Sequence, residues 1–262
     1  MEKLKRALGS FLVPLLSILL AFVIGGIVMA ALGANPLTAL KFLFRGAFGS
    51  AANIGTTLTK ATPLMFTSLC ACFAYKCGVF NLGGEGQFLM GSMAAFLTAY
   101  FSGLTGFAGI LLALLAGALA GGLWGLIPGI LKITRGQNEM IISIMLNYVA
   151  TLFMGVLYTS WIRDANIPQT PAISKLVQLP RVIPSLRFTW GFVLALAVGL
   201  IMYYVLFWTS GGFKLRAVGY NMTAARFNGI PVKRYILTSF VISGAIAGLG
   251  GGAELLGTQF RL

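Results

Sequence analysis

Long apolar runs alternate along the chain with short polar breaks, and the lengths of the runs decide the architecture. Phe11 to Leu32 gives 22 residues without a charge. About 20 predominantly apolar residues are enough for a helix to cross the hydrocarbon core of a bilayer. Six more runs follow: 61–80 with Lys76 near its end, 84–101, 106–133 with Lys132 at its end, 139–161, 188–208, and 235 to about 257. In lipid only helices and closed barrels satisfy every backbone polar group. A barrel would show short alternating segments, whereas these runs are continuous. The pattern therefore predicts an all-α polytopic membrane protein with about seven transmembrane helices, read as one membrane domain over residues 1–262.

Lys3, Lys5 and Arg6 precede the first run, as they would in a cleaved leader. The run is longer than a leader's apolar segment, so an uncleaved first span with a cytoplasmic N-terminus is expected. Alternation then places the breaks near Asn81, Arg135 and 211–235 inside. Eleven cations fall inside and eight outside, a weak bias in the positive-inside direction. Two outer connections are longer. Residues 33–60 are amphipathic and suit the membrane surface. Residues 162–187 hold Pro168, Pro171, Pro180 and Pro184 and read as an irregular external loop.

The break at Gly211–Tyr235 is the most structured. It carries Lys214, Arg216, Arg226, Lys233 and Arg234 and no acid. A cation at a span's centre costs about 2.5–3.5 kcal/mol, so the stretch lies in water at a membrane face. Asn221 suits an N-cap, Met222–Asn228 a short helix, Gly229 the residue after its end and Pro231 a stop. A helix of about two turns is not stable alone in water. It reads either as an ordered loop or as an element that presses into another protein.

Two spans carry glycine at every fourth position: Gly117, Gly121, Gly125 and Gly129, and Gly244, Gly248 and Gly252. Such stripes let helix backbones approach closely. They read as static helix packing or as a seam along a translocation path. Pro128 is expected to kink its helix. The segment Phe80-Asn-Leu-Gly-Gly-Glu-Gly-Gln-Phe88 breaks the apolar pattern sharply. Asn81 suits a cap on the next helix, and Glu85 faces the positive end of its dipole. A capped turn and a broken helix beside a substrate cavity both fit, so Asn81, Glu85 and Gln87 are candidate pathway residues. So are Asn138 and Glu139, which open the fifth span, and Asn147 within it, since an amide in lipid needs a partner. Glu254, near the end of the last run, reads as a cavity residue or a snorkelling end charge.

Composition agrees with this class: 58% of residues are hydrophobic and 9% charged, against about 25% charged in soluble domains. The net charge of +14 comes mostly from cations flanking apolar runs, where they meet lipid headgroups. No aromatic-interleaved basic patch suits single strands, so no nucleic-acid partner is expected. The chain has no His, and Cys70, Cys72 and Cys77 lie in one apolar run. They read as small buried hydrophobes, and no metal or other cofactor is expected. No Walker A sequence, HExxH or Ser/His/Asp set is present, so the chain reads as non-enzymatic.

Three stretches carry a family resemblance: 61–96 with FNLGGEGQF, 136–150 (GQNEMIISIMLNYVA), and 215–251 with RAVGYNMTAARFNGI. They resemble the permease subunit of bacterial ABC importers, the group that includes ribose and branched-chain amino acid permeases, and within it the nucleoside or simple-sugar branch. The resemblance implies a type II importer fold of about ten spans in the bacterial cell membrane. Because the chain ends at Leu262, it is expected to be truncated at its C-terminus. The implied partners are two ATPase subunits, a second permease in a homodimer or heterodimer, an extracytoplasmic solute-binding protein and the lipid bilayer. Residues 219–229 would be the coupling helix that docks on the ATPase, so Arg216, Gly219, Asn221, Ala224, Ala225 and Gly229 are coupling candidates. Thr223-Ala224-Ala225 with Gly229 resembles the importer signature Glu-Ala-Ala-x-x-x-Gly, with Thr in place of Glu. The implied activity is import of a nucleoside or simple sugar by alternating access, driven by the separate ATPase. The residues alone leave two rivals open: an ion-coupled carrier using Glu85, Glu139 or Glu254, and a scaffold subunit without transport.

Overall fold

The computed structural model describes residues 2–162, 169–183 and 188–262. Arg163, Pro168, Pro184 and Arg187 of the expected external loop lie outside the described residues. The chain divides into two compact units, Met1–Thr57 and Leu58–Leu262.

The first unit holds α1 (Glu2–Ala31) and α2 (Pro36–Phe48), followed by the start of α3 (Ala51–Lys76). Asn35 caps α2, its Oδ1 accepting from Leu37 N at 3.0 Å and Thr38 N at 3.3 Å. Pro36 occupies the first turn, where its missing N–H costs nothing. None of the residues of α2 is buried. Thr57 Oγ1 donates to Ala47 O at 2.9 Å and ties the start of α3 to α2.

The second unit is built on three helices packed on one another: α4 (Gly84–Phe101), α5 (Gly106–Arg135) and α10 (Val232–Glu254). Around them lie α6 (Glu139–Val156), which packs on α4, and α7 (Trp190–Trp208), α8 (Ser210–Tyr220) and α9 (Met222–Phe227). Phe66, Phe96 and Phe240 are fully buried at the centre of the unit.

Glycines form the seam of the three-helix layer. A Cβ on Gly121 would come 2.7 Å from Gly248 Cα, and one on Gly117 would lie 3.0 Å from both Gly248 O and Gly91 O. Gly244 meets Gly121 and Gly125, whereas Gly252 faces the side chains of Ala95 and Leu114. Gly91, on α4, belongs to the same seam and is not part of either sequence stripe. Without a hydrophobic drive between helices in lipid, such close approach supplies the association.

Five helices among the described residues are long and apolar enough to span a membrane: Leu12–Ala31, Gly106–Arg135, Glu139–Ser160, Trp190–Trp208 and Val232–Gln259. The other two expected spans are present as helices but are less apolar. α3 starts ten residues before the expected 61 and carries Lys60 and several threonines. α4 opens with Glu85 and Gln87, and it can do so because it packs largely on protein.

Three local expectations are corrected. Asn81 does not cap α4; the residue before that helix is Gly83, which makes no side-chain cap. Cys70 and Cys77 are buried but Cys72 is exposed, because it lies on the other face of α3. The stretch expected as an irregular loop contains a strand, β1 (Arg181–Ile183), which pairs antiparallel with β2 (Phe188–Thr189) at the start of the expected sixth span. It is tied to the end of the chain by Ile173 N donating to Phe260 O at 2.9 Å and Leu179 N to Leu256 O at 2.8 Å.

Candidate functional site

Two constructions hold the candidate residues: an exposed basic elbow and a buried set of amides. The elbow begins at Thr209, which ends α7 and caps α8, its Oγ1 accepting from Gly212 N at 3.1 Å. That cap, with Leu215 and Val218 buried one turn apart, makes a helix of residues the sequence reads only as a basic stretch. Gly219 faces the turn that ends α3: a Cβ there would come 3.0 Å from Gly78 N and overlap Lys76 O. Arg216 also turns inward. Its Nε donates to Leu206 O at 3.0 Å, and its guanidinium lies 4.8 Å from the Phe207 ring centre. A cation on the last carbonyls of α7 satisfies an orphan acceptor and complements the helix dipole.

Asn221 then caps α9, accepting from Thr223 N at 3.0 Å and Ala224 N at 2.9 Å. The helix closes at Gly229, which has φ +74°, the left-handed conformation glycine adopts without strain. Gly229 N donates to Arg226 O and Ile230 N to Ala225 O, both at 3.0 Å, satisfying the terminal carbonyls. Ala225 alone in α9 is buried, at 4% exposure, and anchors it. Ala224 and Gly229 are exposed. The sequence reading missed Tyr220 and Phe227, each 87% exposed. Tyr220 ends α8 and Phe227 ends α9, and aromatic side chains of this kind are enriched at protein interfaces. The available signal was an aromatic inside a segment otherwise too polar to enter lipid.

The second construction lies where α3 gives way to α4. Asn81 Nδ2 donates to Gln87 Oε1 at 2.9 Å and to Ser243 Oγ, on α10, at 2.8 Å. Its Oδ1 accepts from Gln87 Nε2 and Gly83 N, both at 3.0 Å. Asn81 and Gln87 thus meet as reciprocal amides, with Gln87 1% exposed. Asn147 approaches from α6: its Oδ1 accepts from Gly86 N at 2.9 Å, and its Nδ2 donates to Leu82 O at 3.0 Å. It thereby supplies one of the orphan first-turn donors of α4 with the partner that no local cap provides. The break is held from two neighbouring helices at once.

The remaining pathway candidates lie elsewhere. Asn138 caps α6 through Met140 N at 2.9 Å, and Glu139 pairs with Lys132 at 2.7 Å, joining the end of α5 to the start of α6. Glu85 is exposed and has no hydrogen bond or ion pair among the described residues. Glu254 accepts from Thr258 at 3.4 Å and Gln259 at 3.2 Å.

The amide set carries a stability prediction. Asn81→Ala leaves the buried Gln87 Nε2 unpaired and its Oε1 with only Cys70 Sγ, at 3.5 Å, at a cost of about 1–3 kcal/mol, whereas Ser243→Ala removes a single acceptor. Thermal unfolding of the detergent-purified protein should show a clear drop for the first change and a smaller one for the second. Equal melting for Asn81→Ala and the parent would contradict the geometry.

Comparison with known proteins places the chain. The family described as "Branched-chain amino acid transport system / permease component" matches residues 53–261. The chain belongs to this permease family. The permease is similar to a guanosine ABC transporter permease of Bacillus subtilis (strain 168), 36% identical over 259 residues that cover 97% of this chain and 74% of that protein. It is similar to a nucleoside ABC transporter permease of Lactococcus lactis subsp. cremoris (strain MG1363), 35% identical over 92% of this chain and 69% of that protein. A glucose ABC transporter permease of Haloferax volcanii is 32% identical over 95% of this chain and 68% of that protein. No solved structure matches. The permease is a multi-pass membrane protein of a transport family, and both constructions described above fall within the matched residues.

Proposed function

We propose that this permease is the membrane subunit of an ABC importer that carries a nucleoside into a bacterial cell, with hydrolysis on a separate ATPase. The substrate class rests on the relatives named for guanosine and for nucleosides. The observation that carries the mechanism is the elbow: a six-residue helix, capped at both ends, that leaves Phe227 bare while burying Ala225. An ATPase that seats this helix moves α10 through Pro231, because α9 and α10 are separated by four residues. α10 carries Ser243, and Ser243 holds Asn81. The amide set therefore passes the movement to α4 and, through Asn147, to α6. In this reading Ala224, Ala225, Asn221 and Gly229 build the docking helix, and Arg216 and Gly219 brace it on α7 and α3.

The N-terminus and the elbow lie on the cytoplasmic side in this reading, and a solute-binding protein delivers substrate from the other. Arg226 and Lys233 give the elbow a positive rim that fits an acidic groove on the ATPase. The ion-coupled alternative has less to use, since Glu139 is paired with Lys132 and Glu254 is hydrogen-bonded at a helix end, which leaves it the exposed Glu85. The test is uptake of labelled guanosine in cells expressing the permease with its ATPase and binding protein. Uptake should vanish when the ATPase is deleted and survive a protonophore while ATP is maintained. Uptake that persists without the ATPase and collapses with the protonophore would overturn the proposal.

A further inference from the structure

A cleft of about 460 Å³ opens beside the elbow. Its apolar walls come from the membrane helices: Phe73 on α3, Leu206 on α7 and Ile242 on α10. Two cations stand at its mouth, Lys214 on α8 and Arg234 at the start of α10. Neither side chain makes a hydrogen bond or ion pair among the described residues, and no acid lines the cleft. Their neighbours Lys76 and Arg216 are differently disposed, lying over the Phe207 ring at 5.9 and 4.8 Å. The cleft exists because Thr209 breaks the α7–α8 rod and Gly212 lets α8 fold back hard against Val205 and Leu206.

We propose that this cleft binds an anionic phospholipid from the leaflet on the elbow side, with its phosphate between Lys214 and Arg234 and an acyl chain along Val205 and Ile242. Unpaired cations at the polar end of an apolar groove between membrane helices are the chemistry that recognises an acidic headgroup. The position also separates this occupant from a protein partner. Arg226 and Lys233 line a different hollow beyond Pro231, built from the exposed turn between α9 and α10. The hollow around Arg226 is lined only by residues 226–233, whereas the walls around Lys214 and Arg234 belong to helices α7 and α10, which are long and apolar enough to cross a membrane. A lipid seated there fills the angle between α8 and α10 and sets the stance of the elbow. The proposal depends on the membrane fold and not on the identity of the transported solute or of the ATPase.

The test is a lipid titration of the purified permease in mixed micelles, read by thermal unfolding. Phosphatidylglycerol should raise the melting temperature in a saturable way, and phosphatidylcholine should not. Each cation near an anionic surface is worth about fivefold in affinity, about 1 kcal/mol. Lys214→Gln should therefore shift the titration midpoint about fivefold and Lys214→Gln with Arg234→Gln about 25-fold, while Arg226→Gln with Lys233→Gln leaves it in place. Equal stabilisation by phosphatidylcholine would overturn the proposal, as would a midpoint unmoved in the Lys214/Arg234 variant. Glycerol phosphate acting as well as the lipid would assign the site to a free phosphate ester. A Lys214/Arg234 variant that titrates normally but no longer assembles with the ATPase would assign the cations to that partner, and the lipid site would be ruled out.

Discussion

Phe227→Asp is expected to abolish substrate uptake while leaving the amount of permease in the membrane unchanged. The ring is 87% exposed, so its removal forfeits no packing inside the subunit, and surface changes of this kind usually stay within about 0.5 kcal/mol of the parent. A bare aromatic at the C-terminal end of the proposed docking helix is a different matter once a partner covers it. Truncation of such anchors typically costs 2 kcal/mol or more, roughly a thirtyfold loss of affinity, and a buried carboxylate in its place costs more. Tyr220→Ala should act in the same direction with a smaller loss. The check is uptake measured beside the quantity of folded permease recovered from membranes. Ala225→Glu should also stop uptake, but it places a charge at the one buried position of α9 and so mixes docking with folding. Normal uptake by the Phe227 variant would remove the elbow from the mechanism.

Gly248→Leu is expected to have the largest effect on the subunit itself. A Cβ at this position would come 2.8 Å from Gly121 Cα and 3.0 Å from Gly121 N. The obstacle is backbone on a facing helix, which cannot rotate away as a side chain can. Overpacking against movable neighbours costs about 1–3 kcal/mol, and a clash with the backbone of α5 forces the central three-helix layer apart. Most of the protein should then be lost as aggregate on detergent extraction. Gly25→Leu adds the same side chain to α1, where nothing lies within 4 Å, and should behave as the parent does. Size-exclusion profiles of the two variants make the comparison, and a monodisperse Gly248 variant would show that the seam tolerates more than its geometry allows.

The spans were legible because a run of twenty apolar residues has one stable outcome in lipid. The two glycine stripes were legible as well, since a fourfold repeat of the smallest residue points to a tight helix contact. Gly91 escaped because a single glycine in α4 makes no stripe; only the fold brings it against Gly248. The short helix α9 could be read from Asn221, Gly229 and Pro231, whose cap and stop chemistry is local. α8 could not, because its first residues look like any basic break until Thr209 is seen to cap them. Asn81 shows the limit most clearly. Its residue type suits a cap, but the chain runs two residues further before α4 begins, which frees the amide for Gln87 and Ser243. The last of these is 162 residues away, and no local pattern reports such a partner. The exposure of Phe227 was hidden by context, since in a chain this rich in aromatics a phenylalanine reads as buried or facing lipid.

The most direct measurement is a photocrosslink from the elbow. A benzophenone-bearing residue placed at Phe227 in the assembled transporter should capture the ATPase subunit in high yield on irradiation. The same group at Leu200, on the exposed face of α7, should capture lipid alone. Capture of the ATPase from Phe227 is the predicted result. Lipid adducts alone from both positions, in a transporter that still imports its substrate, would contradict the account.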